Sequence, residues 1–184
     1  RALGSRARIL VLAKYAFQGD LARRFGADEV LQPGRNEDHL HAVADLTGGK
    51  VYQPVLGRPA VVGGADLVYE CVGSDSSVDD ALRLTTAGGH ILLLGSTAQT
   101  KTVDWTPLWF RELTVSGSYA GAMEVHEGRS MPTIEVGLEL MASGKVDLAP
   151  LLTHKFPLEE YSRAFQTLTA KAETRALKVV FTYD

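Results

Sequence analysis

Short apolar runs alternate with amphipathic segments along most of this 184-residue chain. Each apolar run is bounded by turn residues and is too short for a helix, so each predicts a strand. The predicted strands are Arg8–Leu12, Asp28–Leu31, Leu67–Cys71, Ile91–Leu94 and Leu113–Ser116. The predicted helices are Phe17–Phe25, Glu37–Thr47, Thr133–Ser143 and one that begins at Asp75 or Ser76. This alternation predicts the α/β class, with a doubly wound parallel sheet.

The segment Gly64–Ser96 is the clearest strand–helix–strand unit. Its helix is expected to bury the face formed by Val78, Ala81 and Leu82, and to end at Ala87-Gly88-Gly89. Its second strand, Ile91–Leu94, is uniformly apolar, as a strand covered on both faces must be. Ligands of such sheets lie beyond the carboxyl ends of the strands. The predicted ligand site therefore comprises Cys71–Ser74 and Leu94–Ser96.

Two segments, Lys50–Gly64 and Glu124–Met131, are predicted to be loops, the first with a short extended piece at Val51-Tyr52. After residue 147 the pattern changes to a strand over Leu151–Phe156, a helix opened by Pro157 and a closing strand over Lys178–Tyr183. We therefore predict a partial dinucleotide-binding domain over residues 1–147 and a carboxyl-terminal strand–helix–strand appendage over residues 148–184. The helices are expected to bury apolar faces, which include Leu21, Ala22 and Phe25 in one helix and Ile134, Leu138 and Met141 in another.

A dinucleotide-binding fold begins with a strand and a glycine-rich GxGxxG turn that leads into a helix. The sequence contains no such motif, and Arg1–Ser5 looks like the last turn of that helix. We therefore expect a sheet that lacks its first strand, which would lie between Arg8–Leu12 and Leu67–Cys71.

Composition excludes several partners and sites. The net charge is −3 without a basic block, so nucleic acid and anionic membrane are not expected partners. The single cysteine, Cys71, is interpreted as a small buried packing residue and fits a reducing, cytoplasmic location. No histidine pair has zinc-ligand spacing, so we predict no metal site and interpret each histidine as a surface or capping residue; the histidines are His39, His41, His90, His126 and His154.

Five segments of the sequence, in this order, resemble the carboxyl-terminal half of zinc-type medium-chain alcohol dehydrogenases, including threonine and sorbitol dehydrogenase relatives. They are LARRFGADEVL, DLVYECVGS, ALRLTTAGGHILLLGS, RELTVSGSYAG and LLTHKFPLEEYSRAF. The resemblance implies the NAD(P)-binding part of an alcohol or polyol dehydrogenase, with a small-molecule alcohol as substrate and a homo-oligomer as the complete enzyme. In this family the zinc ligands and the proton relay belong to an amino-terminal catalytic domain, so no catalytic residue is expected here.

The resemblance also implies which residues bind the cofactor. Cys71, Val72, Gly73 and Ser74 would lie beside the adenosine half, Leu94, Gly95 and Ser96 beside the nicotinamide carboxamide, and Tyr119 and Ala120 at the neighbouring strand end. NAD enzymes place an acidic residue where this chain has Ala13, followed by Lys14, and a lysine can pair with the extra phosphate of NADP. NADP is therefore mildly favoured over NAD. The alternative is that Lys14 is an ordinary exposed lysine and that the glycines only serve their turns.

Three other functions fit parts of the pattern. A zinc-independent quinone or enoyl reductase has the same fold, and its distinguishing residues would lie outside this sequence. A non-catalytic nucleotide-binding module would retain the first strand and its glycine turn. A methyltransferase would need that turn and an acidic residue at position 13 or 14, which are Ala13 and Lys14 here.

Overall fold

A computed structural model describes residues 1–34, 37–97, 99–119 and 121–183. Its strands are β1 (Leu10–Leu12), β2 (Glu29–Leu31), β3 (Lys50–Tyr52), β4 (Ala60–Val62), β5 (Ala65–Glu70), β6 (Thr85–Leu93), β7 (Thr114–Gly117), β8 (Met123–His126), β9 (Arg129–Pro132), β10 (Leu152–Pro157) and β11 (Lys178–Thr182). Its helices are α1 (Ala16–Arg24), α2 (Asp38–Thr47), α3 (Asp75–Leu84), α4 (Thr106–Phe110), α5 (Thr133–Ala142), α6 (Tyr161–Thr169) and α7 (Lys171–Thr174). Among the residues that the structure describes, no helix combines the length and apolar character that a membrane crossing requires.

The chain divides into two compact units, Arg1–Gln32 with Glu124–Asp184, and Pro33–Met123. In the second unit, β5, β6 and β7 form a parallel sheet in that order. Helix α3 supplies Ala81 and Leu82 to a buried cluster with Ile91 of β6, as its apolar spacing predicts. This parallel sheet confirms the α/β class.

Helix α3 ends at Leu84, before the expected glycines. The backbone is already extended at Thr85, whose hydroxyl donates to the Ala81 carbonyl at 2.7 Å and closes the helix end. Gly88 and Gly89 lie within β6 instead. The prediction that these glycines stop the helix is therefore wrong.

The short extended piece predicted at Val51-Tyr52 is confirmed, because β3 includes both residues. The rest of Lys50–Gly64 is not entirely the predicted loop, since β4 lies within it and pairs antiparallel with β3. Val51 lies opposite Val61, which is fully buried, and both strands contact α2. The glycines and prolines between the two strands mark the connection, and each strand has only three residues. A strand as short as β4 leaves too little alternation for the sequence to indicate it.

The first unit contains a parallel β1–β2 pair joined by α1, with Val11 opposite Val30. Gly19 lets α1 approach β2 closely, because a Cβ there would lie 2.8 Å from the Val30 side chain. Strands β10 and β11 also pair parallel, with α6 between them in sequence and in contact with both. This confirms the predicted carboxyl-terminal strand–helix–strand segment, whereas the boundary at residue 147 stays a prediction.

Two further expectations fail in this unit. Strands β8 and β9 pair with each other within the segment predicted to be a loop. Helix α5 buries Val136 and leaves Ile134, Leu138 and Met141 exposed, and Phe25 after α1 is exposed as well. Apolar spacing shows that a helix has a face to cover, but it does not show that this chain covers it.

Candidate functional site

The buried carboxylate of Glu70 organises the end of β5. Glu70 is 3% exposed, and its Oε1 accepts hydrogen bonds from the backbone N–H groups of Val72 and Gly73, both at 2.9 Å. Its backbone carbonyl accepts from the N–H groups of Leu94 and Gly95 at 2.8 and 2.9 Å. One residue therefore holds the turns that follow both β5 and β6. Sequence reasoning missed it, although a single glutamate in an apolar strand is a signal for such a role.

Two of the predicted site residues, Gly73 and Gly95, are packed against each other's turns. Gly73 has a φ of +82°, and a Cβ there would lie 2.7–2.9 Å from the backbone of Ser96. A Cβ on Gly95 would lie 2.3 Å from the Gly73 nitrogen and 2.5 Å from Oε2 of Glu70. Both positions therefore need glycine for the packing of the turns themselves, whatever ligand binds above them.

Ser74 begins α3, one or two residues before the predicted caps. Its Oγ accepts from the backbone N–H of Ser77 at 3.2 Å, and the Ser77 hydroxyl accepts from the Ser74 N–H at 3.1 Å. Asp75 accepts instead from the backbone N–H groups of Lys101 and Thr102 at 2.9 and 2.8 Å. These bonds lower the pKa of the Asp75 carboxyl, and the bond from Lys101 contributes most. The prediction that Asp75 or Ser76 caps the helix is therefore wrong.

An exposed apolar rim follows the carboxyl ends of β5, β6 and β7. It consists of Val72, Leu94 and Tyr119, whose side chains are 71%, 46% and 85% exposed. Parallel neighbouring strands bring these residues to the same edge of the sheet. Ala120, the remaining predicted residue at this edge, lies outside the described residues.

Cys71 is exposed at the start of the rim, so its interpretation as a buried packing residue is wrong. It is the first residue beyond β5, where the pleat no longer directs side chains into the sheet. Partial desolvation, and then the nearby Glu70 charge, raise the pKa of the Cys71 thiol. The thiol is therefore protonated at neutral pH and is a poor nucleophile.

Ala13 and Lys14 follow β1 in the first unit. Ala13 is buried, and its N–H donates to the Leu31 carbonyl at 2.9 Å. Lys14 is exposed, and its Nζ lies 5.5 Å from the centroid of the Tyr15 ring. The turn thus offers a cation and no carboxylate.

His39 is 4% exposed and α2 has no side-chain cap, so the interpretation of His39 as a surface or capping residue is wrong. Its Nε2 lies 3.2 Å from an oxygen of Asp80, in the middle of α3. Across residues 1–34, 37–97, 99–119 and 121–183 there is no group of three or more His, Cys, Asp or Glu side chains that could hold a metal ion. The described residues therefore offer no complete ligand set for a zinc ion.

The family model described as zinc-binding dehydrogenase matches residues 1–133. The L-idonate 5-dehydrogenase of Vitis vinifera is 30% identical over 163 residues, which cover 88% of this chain and 39% of the relative. The chain therefore spans about two fifths of that relative's length.

Solved structures show the same fold. A short chain alcohol dehydrogenase from E. coli CFT073, solved with NADH, aligns with a TM-score of 0.70 at 16% identity over 99% of this chain and 46% of its own. A Sinorhizobium meliloti 1021 protein described as a zinc-binding dehydrogenase, solved with NADP, aligns with a TM-score of 0.64 at 24% identity over 98% of this chain and 46% of its own. These alignments confirm the doubly wound, Rossmann-type α/β fold. The chain belongs to the zinc-binding dehydrogenase family.

Proposed function

We propose that this chain is the NAD(P)-binding part of a dehydrogenase that transfers hydride between a nicotinamide cofactor and an alcohol or carbonyl substrate. The observation that carries the proposal is the site at the ends of β5, β6 and β7, where buried Glu70 fixes two turns beneath an exposed apolar rim. A doubly wound sheet binds its ligand at this edge. Family membership supports the same conclusion.

The rim fits a dinucleotide in its chemistry. Val72, Leu94 and Tyr119 offer exposed apolar surface at three adjacent strand ends, which suits the flat faces of nucleotide rings. The Glu70 bonds hold the two turns in place before a ligand arrives, so binding costs less conformational entropy. The bound cofactor supplies the hydride chemistry, and the residues of this chain bind and orient it.

We further propose that NADP binds at least as well as NAD. The support is the turn after β1, where Ala13 is buried and Lys14 is exposed with its charge available. A carboxylate at this turn would repel a 2′-phosphate, whereas an ammonium group attracts it. A small-molecule alcohol substrate, a homo-oligomer and a cytoplasmic location remain proposals for the whole protein.

The test uses the full-length gene product. NADP and NAD are titrated by calorimetry, and turnover is followed at the absorbance of the reduced nicotinamide over a panel of alcohols and polyols. We expect micromolar cofactor binding and reduction of NAD(P) by at least one alcohol. Binding without alcohol oxidation, but with reduction of quinones or enones, would favour the zinc-independent reductase instead. Failure to bind either dinucleotide would contradict the proposal.

A further inference from the structure

Arg175 occupies a backbone conformation that favours glycine. Its φ is +58° and its ψ is +26°, in the left-handed region where a side chain is disfavoured. It ends α7, a position at which helices commonly use glycine. Glu37, Glu112 and Glu127 share this conformation, so the case for a role of the Arg175 side chain depends on its contacts.

The Arg175 guanidinium contacts an aromatic pair next to Lys14. Its Cζ lies 5.7 Å from the centroid of the Phe17 ring. Phe17 stacks on Tyr15, with ring centroids 5.4 Å apart and planes 10° apart. Lys14 Nζ lies over the Tyr15 ring at 5.5 Å. Two cations from distant parts of the sequence thus share one stacked pair of rings, and all four residues belong to the same compact unit.

Both cations are available to a ligand. Lys14 and Arg175 are exposed, and neither forms an ion pair with any carboxylate in the part of the chain that the structure describes. By contrast, Arg23 in the same unit pairs with Asp20 at 3.3 Å, and Arg163 pairs with Glu160 at 3.0 Å. Cations held next to aromatic rings without acidic partners suit an aromatic ligand that carries a phosphate.

We infer that Arg175 is a second specificity-determining residue, which acts with Lys14 to bind the 2′-phosphate of a phosphorylated adenosine ribose. The guanidinium can donate two parallel hydrogen bonds to one phosphate, whereas the lysine acts as a point charge. The carboxyl-terminal segment thereby contributes to cofactor choice, although it lies far from the β1 turn in sequence. This inference rests on the proposed function.

The test replaces Arg175 with glycine in the full-length protein. Arg175→Gly removes the cation and relieves the left-handed backbone, so the fold should be kept and the melting temperature unchanged or raised. Binding is measured by calorimetry with adenosine 2′,5′-bisphosphate and adenosine 5′-monophosphate, which differ only in the 2′-phosphate. We expect affinity for the bisphosphate to fall about tenfold and that for the monophosphate to change less than about twofold.

Two further variants separate the causes. Arg163 also lies over a ring, 5.6 Å from the centroid of Phe156, so Arg163→Ala is a matched control that should leave both affinities unchanged. Arg175→Lys keeps the charge without the planar fork and should lose part of the preference.

The outcomes distinguish this inference from the proposed function. If the wild type binds neither adenosine probe and neither dinucleotide, the proposed function fails. If the wild type prefers the bisphosphate and Arg175→Gly keeps the same ratio of affinities, the inference about Arg175 alone is overturned. An equal loss for both probes would show a purely structural role and would also overturn it.

Discussion

The carboxylate of Glu70 accepts a hydrogen bond from the backbone N–H of Gly73 at the end of β5. The Gly73 nitrogen lies 2.9 Å from Oε1 and 3.1 Å from Oε2. The backbone carbonyl of Glu70 also accepts hydrogen bonds from the N–H groups of Leu94 and Gly95, in the turn after β6. The positions of the two turns are therefore coupled through one buried side chain.

Removing the Glu70 carboxylate should loosen both turns. Glu70→Ala leaves the N–H groups of Val72 and Gly73 without their acceptor, at a cost of about 1–3 kcal/mol for each group that stays unpaired. Glu70→Gln retains one acceptor oxygen and should lose less. Urea denaturation gives the stability, and a dinucleotide titration gives the affinity, which should fall in the same order. Equal stability of Glu70→Ala and wild type would contradict this role.

A methyl group on Gly95 should separate the two turns. The Cβ of Gly95→Ala would lie 2.3 Å from the Gly73 nitrogen, and overpacking of this kind costs about 1–3 kcal/mol. Gly137→Ala is the matched control, since a Cβ there, in α5 and away from the candidate site, has nothing within 4 Å. Unfolding curves and cofactor titrations of both variants make the comparison. If the two variants behave alike, the close packing of the turns is refuted.

Reversing the charge after β1 should reverse the cofactor preference. The wild type should bind NADP at least as well as NAD, and Lys14→Asp should favour NAD, because an aspartate repels the 2′-phosphate and can accept bonds from the ribose hydroxyls. Parallel titrations of both cofactors against both proteins measure the change. A tenfold preference of the wild type for NAD would contradict this prediction.

Stability should depend on Asp80 in mild acid. Burial opposes ionisation of this carboxyl, but its contacts with His39 and then Arg58 outweigh burial and lower its pKa. A lowered folded-state pKa gives stability that is present above the unfolded value of about 3.9 and is lost as the pH falls through the folded value. The unfolding free energy of Asp80→Asn should therefore fall less than that of wild type between about pH 5 and pH 3. Urea denaturation at several pH values in this range measures the unfolding free energy of both proteins. Identical slopes of that free energy against pH would contradict the prediction.

The sequence predicts the parallel strands well, because each is a short apolar run bounded by turn residues. Ile91, 1% exposed at the centre of the sheet, is the clearest example. Strand β4 and the β8–β9 pair were not predicted, since strands of three or four residues carry almost no periodic signal.

The candidate site could be located from the sequence, but its internal contacts could not. Gly73 and Gly95 stand where strand ends are expected, yet no pattern shows that each would collide with the other's turn. Similarly, the contact between Arg175 and Phe17 joins residues far apart in the sequence, and only the fold brings them together.

Hydrogen–deuterium exchange of the full-length protein with and without NADP tests the central claim most directly. We expect bound NADP to slow exchange in peptides covering residues 71–74, 94–97 and 117–119, which follow β5, β6 and β7. The β3–β4 hairpin, residues 50–62, should exchange at the same rate in both states and serves as the internal control. Unchanged exchange at all three strand ends under saturating NADP would contradict the assignment of this edge as the cofactor site.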